Sequence, residues 1–154
     1  MEKVFEIRSI KQIKTKVSAP FTQVKSPYHA VDIIHHFIGD EAREIALVLI
    51  LDTKLNVLAV YKVSIGNIGS TILEPREIFQ ATMLANGRSV IIAHNHPSGS
   101  VEPSPQDIQA TERIAQAGNI LGIDVLDHVI VAVDHENNKQ HLSLREAGYI
   151  KFQR

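Results

Sequence analysis

The chain has 154 residues, of which 44% are hydrophobic and 21% are charged, as expected for a single globular domain that buries a core. Its formal net charge of −1 gives no overall attraction to a polyanion, so direct nucleic-acid binding is not expected from charge. The sequence contains no cysteine, which excludes disulfides and thiolate metal sites. Eight histidines and the carboxylates therefore remain as candidate metal ligands.

The N-terminal region does not show the charged stretch followed by an apolar stretch that is typical of a secretory signal peptide. No apolar span long enough to cross a membrane follows it. We therefore expect a cytoplasmic protein without a membrane segment. Residues 1–25 are expected to be an extended segment that packs on or flanks a domain over residues 26–154. This segment is locally basic, but no aromatic residues interleave its charges, so a solvated edge is favoured over a nucleic-acid-binding arm.

Hydrophobic periodicity, terminal prolines and glycines, and polar turns predict alternating helices and strands. In chain order these are a helix from Pro27 to about Phe37, strands over 44–51 and 57–65, a helix from Pro75 to Gly87, a strand over 89–93, a loop over 95–103, a helix from Ser104 to near Gly122, a strand over 124–133, a turn over 134–140, and a short final strand or helix.

The element order predicts an α/β (α+β) sandwich in which helices cover a mixed central sheet. The first two predicted strands should form a hairpin, because only a short polar turn separates them. Their nearly continuous apolar character indicates strands that are covered on both faces.

His94 and His96 directly follow the short buried strand over 89–93. Residues two apart in an extended backbone point the same way, so both imidazoles can reach one ion about 2 Å away. Pro97 and Gly99 then turn the chain sharply. Two imidazoles at a strand end would otherwise bring polar rings together without structural gain.

Ser104 and Asp107 lie at the start of the following helix. A turn that returns this helix to the strand end would place the Asp107 carboxylate beside the imidazoles. Two His and one Asp would leave the fourth tetrahedral position of zinc open to water, as in catalytic sites. Ser104-Pro105-x-Asp107 is also a capping box, and alone it favours a simple helix cap. Together with the histidine pair, a metal site formed by His94, His96 and Asp107 is favoured.

Glu44 is the candidate proton acceptor for water activated by zinc. It stands at the start of the most apolar predicted strand, where a charged group is costly unless it has a function. The alternative is that Glu44 is simply the solvent-exposed first residue of that strand, and the residues alone leave both interpretations open. Glu41, the nearest competing carboxylate, is expected in the preceding turn.

A resemblance to the JAMM motif of the JAB/MPN metalloprotease family lies in the pattern His94-x-His96, seven intervening residues and Ser104-x-x-Asp107. The longer string HNHPSGSVEPSPQD, with PREIF before it and LGIDVLDHVIV after it, is similar to the RadC-like branch. The resemblance covers roughly residues 27–150.

This resemblance implies a three-layer JAB/MPN fold that is related in shape to cytidine deaminases. It implies one zinc ion per chain on His94, His96 and Asp107. It also implies that Glu44 is the catalytic glutamate, and that Ser104 orients the water or stabilises the oxyanion.

The leading functional expectation is a zinc-dependent metallopeptidase that hydrolyses a peptide or isopeptide bond in a peptide or protein substrate. The alternative is a non-enzymatic, zinc-containing interaction module associated with DNA maintenance. A nucleoside deaminase is disfavoured, because cysteine is absent and His96 stands where that chemistry requires glutamate. An exposed sheet edge could also support a homodimer.

Other polar residues near the motif or on helices have simpler interpretations. His29, His35 and His36 fall on the first predicted helix without an acidic partner, so they are expected at the surface. His128 could orient a ligand imidazole, but a hydrogen-bonded core position is favoured. Asn95 either holds the loop or contacts substrate, and the sequence leaves both roles open.

Overall fold

The computed structural model describes residues 1–65 and 73–152, and this part contains three helices and five strands. In chain order they are α1 (Pro27–Ile38), β1 (Ile45–Leu51), β2 (Val57–Ile65), α2 (Pro75–Leu84), β3 (Ser89–Asn95), α3 (Pro105–Leu121), β4 (Asp124–Val133) and β5 (Lys139–Ser143).

The strands form one mixed sheet in the order β2-β1-β3-β4-β5. β3 and β4 are parallel, and α3 provides the crossover that a parallel pair requires. The other neighbouring strands are antiparallel, including the predicted hairpin of β1 and β2. The predicted α/β (α+β) fold with a mixed central sheet is therefore confirmed.

The sheet separates two hydrophobic cores and gives the fold three layers. α1 packs on one face, whereas α2 and α3 pack on the other. Every residue of β1 and β3 is buried, so alternate side chains of these strands enter opposite cores. Leu47 and Leu49 face α1, for example, while Val48 and Ile50 face α2 and α3.

β2 is covered less completely than predicted. It forms one edge of the sheet, and among the described residues it pairs as a strand with β1 alone. The side chain of Val63 is buried, whereas those of Tyr61 and Lys62 are exposed. The layers cover this edge strand less completely than the centre of the sheet, so the prediction of two covered faces is correct for β1 and wrong for β2.

Several predicted element ends are wrong by one to three residues, and local features explain two of them. α2 ends at Leu84, three residues before the predicted end at Gly87. Asn86 has a φ of 57°, and this left-handed conformation terminates the helix before the glycine is reached. β3 continues through Asn95 instead of ending at Ala93, because it keeps its pairing with β4 to that point.

Residues 1–18 form neither a helix nor a strand. Within this segment, Nε2 of Gln12 donates to the carbonyl oxygen of Ala81 at 2.8 Å. The division into an N-terminal segment over 1–25 and a domain over 26–154 stays a prediction. No helix in the described part of the chain is long and apolar enough to span a bilayer.

His35 is buried, contrary to the surface position predicted for the histidines of α1. Only 7% of it is exposed, and its Nε2 lies 3.1 Å from the carbonyl oxygen of Gln140 in β5. Burial lowers the pKa of His35, although its hydrogen bond to Gln140 acts in the opposite direction. His36 is exposed as predicted, and His29 is half-buried against the ring of Phe21.

Acidification should destabilise the fold through His35. Its folded-state pKa is lowered, so the stability it contributes is present above 6.5 and is lost as the pH falls below that value. His35→Gln should therefore show a smaller decrease in the free energy of unfolding between about pH 7 and pH 5, measured by urea denaturation. His135→Gln changes an exposed turn residue and should keep the wild-type slope. An unchanged slope in His35→Gln would contradict this assignment.

Candidate metal centre

Three segments of the chain converge at the end of β3. His94 lies within β3, His96 follows this strand, and Asp107 lies in the first turn of α3. Glu44 immediately precedes β1, one residue outside the strand in which it was predicted. Ala46, two residues after Glu44, pairs with His94, so the antiparallel register brings Glu44 to the same end of the sheet.

Four of the five side chains predicted to carry the chemistry, those of Glu44, His94, His96 and Asp107, lie close together. One ligand atom from each of them is within 4.8 Å of all the others. The Nε2 atoms of His94 and His96 are 2.8 Å apart, and Asp107 Oδ2 is 3.5 Å from each. Glu44 Oε1 lies 3.7 Å from His94 Nε2.

These distances fit a metal ion. Tetrahedral ligands about 2 Å from zinc are about 3.3 Å from one another, which is close to the separations between the two imidazoles and the Asp107 carboxylate. Nitrogen and carboxylate oxygen are also donor types that zinc accepts. The cluster of Glu44, His94, His96 and Asp107 could therefore bind a metal ion.

The electrostatics of the cluster favour a cation. Burial alone would raise the pKa of Asp107, but the nearby side chains of His94 and His96 outweigh it and hold this pKa well below its usual range. Burial acts to lower the pKa of His96, but its contacts with Asp107 and with the Ser100 carbonyl raise it overall. Asp107 thus keeps its negative charge, which attracts a positively charged ion.

Asp107 is a helix cap and a member of the cluster at the same time. Ser104 Oγ accepts a hydrogen bond from Asp107 N at 3.0 Å, and Asp107 Oδ2 accepts one from Ser104 N at 2.9 Å. The same Oδ2 atom faces both imidazoles. The two interpretations of this motif are therefore compatible, and the cap fixes the direction of the carboxylate. The hydroxyl of Ser104 can still donate its own hydrogen.

Both imidazoles are oriented through their Nδ1 atoms. His96 Nδ1 lies 2.8 Å from the carbonyl oxygen of Ser100, to which it donates. His94 Nδ1 lies 2.6 Å from Nε2 of His128, whose Nδ1 is 2.5 Å from the hydroxyl of Thr111. Each ring thus directs its Nε2 into the cluster.

His128 has both of the roles that the sequence offered. It is a fully buried, hydrogen-bonded core residue, and it also contacts the imidazole of His94. Burial lowers the pKa of His128 well below its ordinary value. The parallel register of β3 and β4 pairs His128 with Ile92, two residues before His94, so both histidines lie on the α3 face of the sheet.

Asn95 holds the loop that carries Glu44. It is 1% exposed and points away from the metal cluster, because side chains alternate along β3. Its Oδ1 accepts from Ile45 N at 2.6 Å, while its Nδ2 donates to the carbonyl oxygens of Glu41 and Arg43 at 3.2 Å and 2.9 Å. The structure therefore favours the loop-holding role, which the sequence could not separate from substrate contact.

Asn95→Ala should lower the free energy of unfolding by roughly 2–4 kcal/mol, because three backbone groups lose their hydrogen-bond partner at a buried site. Urea denaturation would measure the loss. Asn119→Ala removes the same side chain from an exposed position of α3 and should have little effect. Equal stability of the two variants would show that Asn95 does not anchor the loop.

The sheet order and the histidine–carboxylate cluster define an α+β domain with a candidate metal centre. A family model described as a RadC-like JAB domain matches residues 24–149. The chain belongs to this family, as its motif predicted.

Relatives with the name "UPF0758 protein" occur in archaea and bacteria. The protein from Methanosarcina mazei is 35% identical over 148 residues, which cover 96% of this chain and 62% of the relative. The protein from Rubrobacter xylanophilus is 42% identical over 118 residues, which cover 77% of this chain and 52% of the relative. The chain thus matches about half to three-fifths of the length of these relatives.

Proposed function

We propose that the chain is a zinc-dependent hydrolase that cleaves a peptide or isopeptide bond in a peptide or protein substrate. The observation that carries the proposal is the convergence of Glu44 with His94, His96 and Asp107 within 4.8 Å. Membership of the RadC-like JAB family supports a metal-dependent, hydrolase-like module.

His94, His96 and Asp107 would hold the zinc ion. They offer two imidazole nitrogens and one anionic oxygen, and three protein ligands leave room for a reactant, as in catalytic zinc sites. When bound, zinc supplies Lewis acidity, which polarises a carbonyl group and lowers the pKa of water towards neutral pH. The centre opens toward His96 and Glu44, whose side chains are 17% and 26% exposed, whereas that of His94 is 1% exposed.

Glu44 would take a proton from the attacking water at its carboxylate and deliver it to the nitrogen of the leaving amine. Its loop is held by Asn95, and its Oε1 is near enough to the imidazoles to act on a reactant between them. Glu41 is less suited to this role. Its Oε1 lies 3.6 Å from Nζ of Lys62, in a half-exposed ion pair away from the cluster.

Ser104 would donate its hydroxyl hydrogen to the substrate oxygen as negative charge develops there. The hydroxyl oxygen already accepts from Asp107 N, which fixes its position at the start of α3. A donor that is held in place before the reaction stabilises charge without a reorganisation cost.

We further propose that the domain acts in the cytoplasm and forms a homodimer through the outer edge of β2. At the start of this edge the backbone N of Val57 donates to the carbonyl oxygen of Thr22 at 2.9 Å, but no strand of the described residues pairs with the rest of it. Unpaired strand edges favour association. With a net charge of −1, a protein is a better partner than nucleic acid.

The purified protein should contain about one zinc per chain when measured by elemental mass spectrometry. His96→Ala and Asp107→Ala should lose the metal, because each removes a ligand. His141→Ala, which changes an exposed histidine of β5, should retain it. A wild-type protein that stays free of zinc after dialysis against zinc would overturn the proposal and leave Asp107 only its capping role.

Glu44→Gln should reduce hydrolysis by at least roughly 100-fold, because the amide cannot accept the proton, while zinc content stays unchanged. Cleavage of a peptide library and of isopeptide-linked conjugates would measure this loss. Glu41→Gln is the matched control and should keep wild-type activity.

Full activity in Glu44→Gln would remove Glu44 from the mechanism. A zinc-loaded wild type that cleaves no peptide or isopeptide bond would instead favour a zinc-containing interaction module associated with DNA maintenance.

A further inference from the structure

We propose that Thr111 and His128 are positioning residues that fix the tautomer of His94 and so preorganise the metal centre. Hydrogen bonds run from His94 through His128 and Thr111 to the backbone of Asp107. The inference rests on the proposed metal site but not on hydrolysis.

The direction of these hydrogen bonds follows from the single hydrogen of the Thr111 hydroxyl. Thr111 Oγ1 lies 2.6 Å from the carbonyl oxygen of Asp107, which can only accept, so the hydroxyl must donate there. Thr111 Oγ1 also lies 2.5 Å from His128 Nδ1. Because its hydrogen is already used, Thr111 must accept at this second contact, and His128 Nδ1 must carry a hydrogen.

The same reasoning extends to His94. The ring of His128 has no exposed surface, and among the described residues it hydrogen-bonds to His94 and Thr111 but to no carboxylate, so burial favours the neutral ring with one hydrogen. With that hydrogen on Nδ1, its Nε2 is an acceptor and receives a hydrogen from His94 Nδ1 at 2.6 Å. With its hydrogen on Nδ1, His94 can offer a lone pair to a metal ion at Nε2, the atom that faces His96 and Asp107.

This chain of hydrogen bonds joins one proposed ligand, His94, to another, Asp107, through the protein interior. It begins on β3, passes through His128 on β4 and ends at the backbone carbonyl of Asp107 in α3. His128 and Thr111 are 0% exposed and His94 is 1% exposed, so water cannot easily replace the bonds between them. The ring of His94 therefore cannot rotate or exchange its tautomer unless these buried bonds break, and less reorganisation accompanies metal binding.

Thr111→Val tests the connection with little change in side-chain volume. The variant leaves His128 Nδ1 without its acceptor, so His94 loses its fixed tautomer. Zinc(II) and cobalt(II) affinities, measured by competition with a chromophoric chelator, should fall by about 10-fold or more. Thr111→Ser keeps the hydroxyl and should bind both metals as the wild type does.

Thr82→Val is a matched control. Thr82 is also 0% exposed, and its Oγ1 donates to the carbonyl oxygen one turn earlier in its helix, that of Ile78, at 2.7 Å. No imidazole contacts this hydroxyl in the described part of the chain. The substitution should destabilise the fold by a similar amount but change metal affinity by less than about twofold. Equal metal affinity in Thr111→Val and Thr82→Val would overturn the inference.

The tautomer of His128 provides a readout that needs neither metal nor activity. Long-range nitrogen–proton NMR correlations of the metal-free protein should show a hydrogen on Nδ1 of His128. A hydrogen on Nε2 would overturn the inference even if Thr111→Val fails to fold. A wild type that shows the Nδ1 tautomer but binds neither zinc nor cobalt would contradict the proposed function and leave the hydrogen-bond direction intact.

Discussion

The position of β3 in the sheet is the constraint on which the metal centre depends. β3 pairs with β1 on one side and with β4 on the other, and all seven of its residues are buried. Because side chains alternate along a strand, successive residues of β3 face opposite sides of the sheet. His94 is therefore directed to the α3 side, where a carboxylate and an imidazole meet it, and Asn95 is directed to the opposite side, where it holds the loop before β1. One strand thus orients a proposed ligand and the proposed base.

Features set by near neighbours in the chain could be predicted from the sequence. Pro27, Pro75 and Pro105 correctly mark the starts of the helices, because proline is suited to the first turn. The spacing of His94, His96 and Asp107 was sufficient to place them together, since a strand end, a turn and a capped helix start leave few other arrangements. Glu44 required the resemblance to a family, because its proximity depends on the pairing of β1 with β3.

Contacts between distant segments could not be predicted in the same way. Asn95 reaches a backbone group 50 residues away, His94 meets His128 across 34 residues, and His35 meets Gln140 across 105. Each of these side chains has an ordinary local setting that does not identify its partner. The sequence places His128 in a strand and His94 directly after one, but the parallel register that aligns their faces arises only when the sheet forms.

The centre also combines residues that are close together in the chain with one residue that is distant. The three proposed ligands lie within 14 consecutive residues, 94–107, whereas Glu44 joins them only through the pairing of strands that are far apart in the chain. Closing a long loop costs more chain entropy than closing a short one, so the local and the distant parts of the centre are assembled at different cost. Separation of the β1–β2 hairpin from β3 would part the carboxylate of Glu44 from a ligand set that stays intact. Metal content therefore reports on β3, α3 and β4, while turnover also reports on the pairing of β1 with β3.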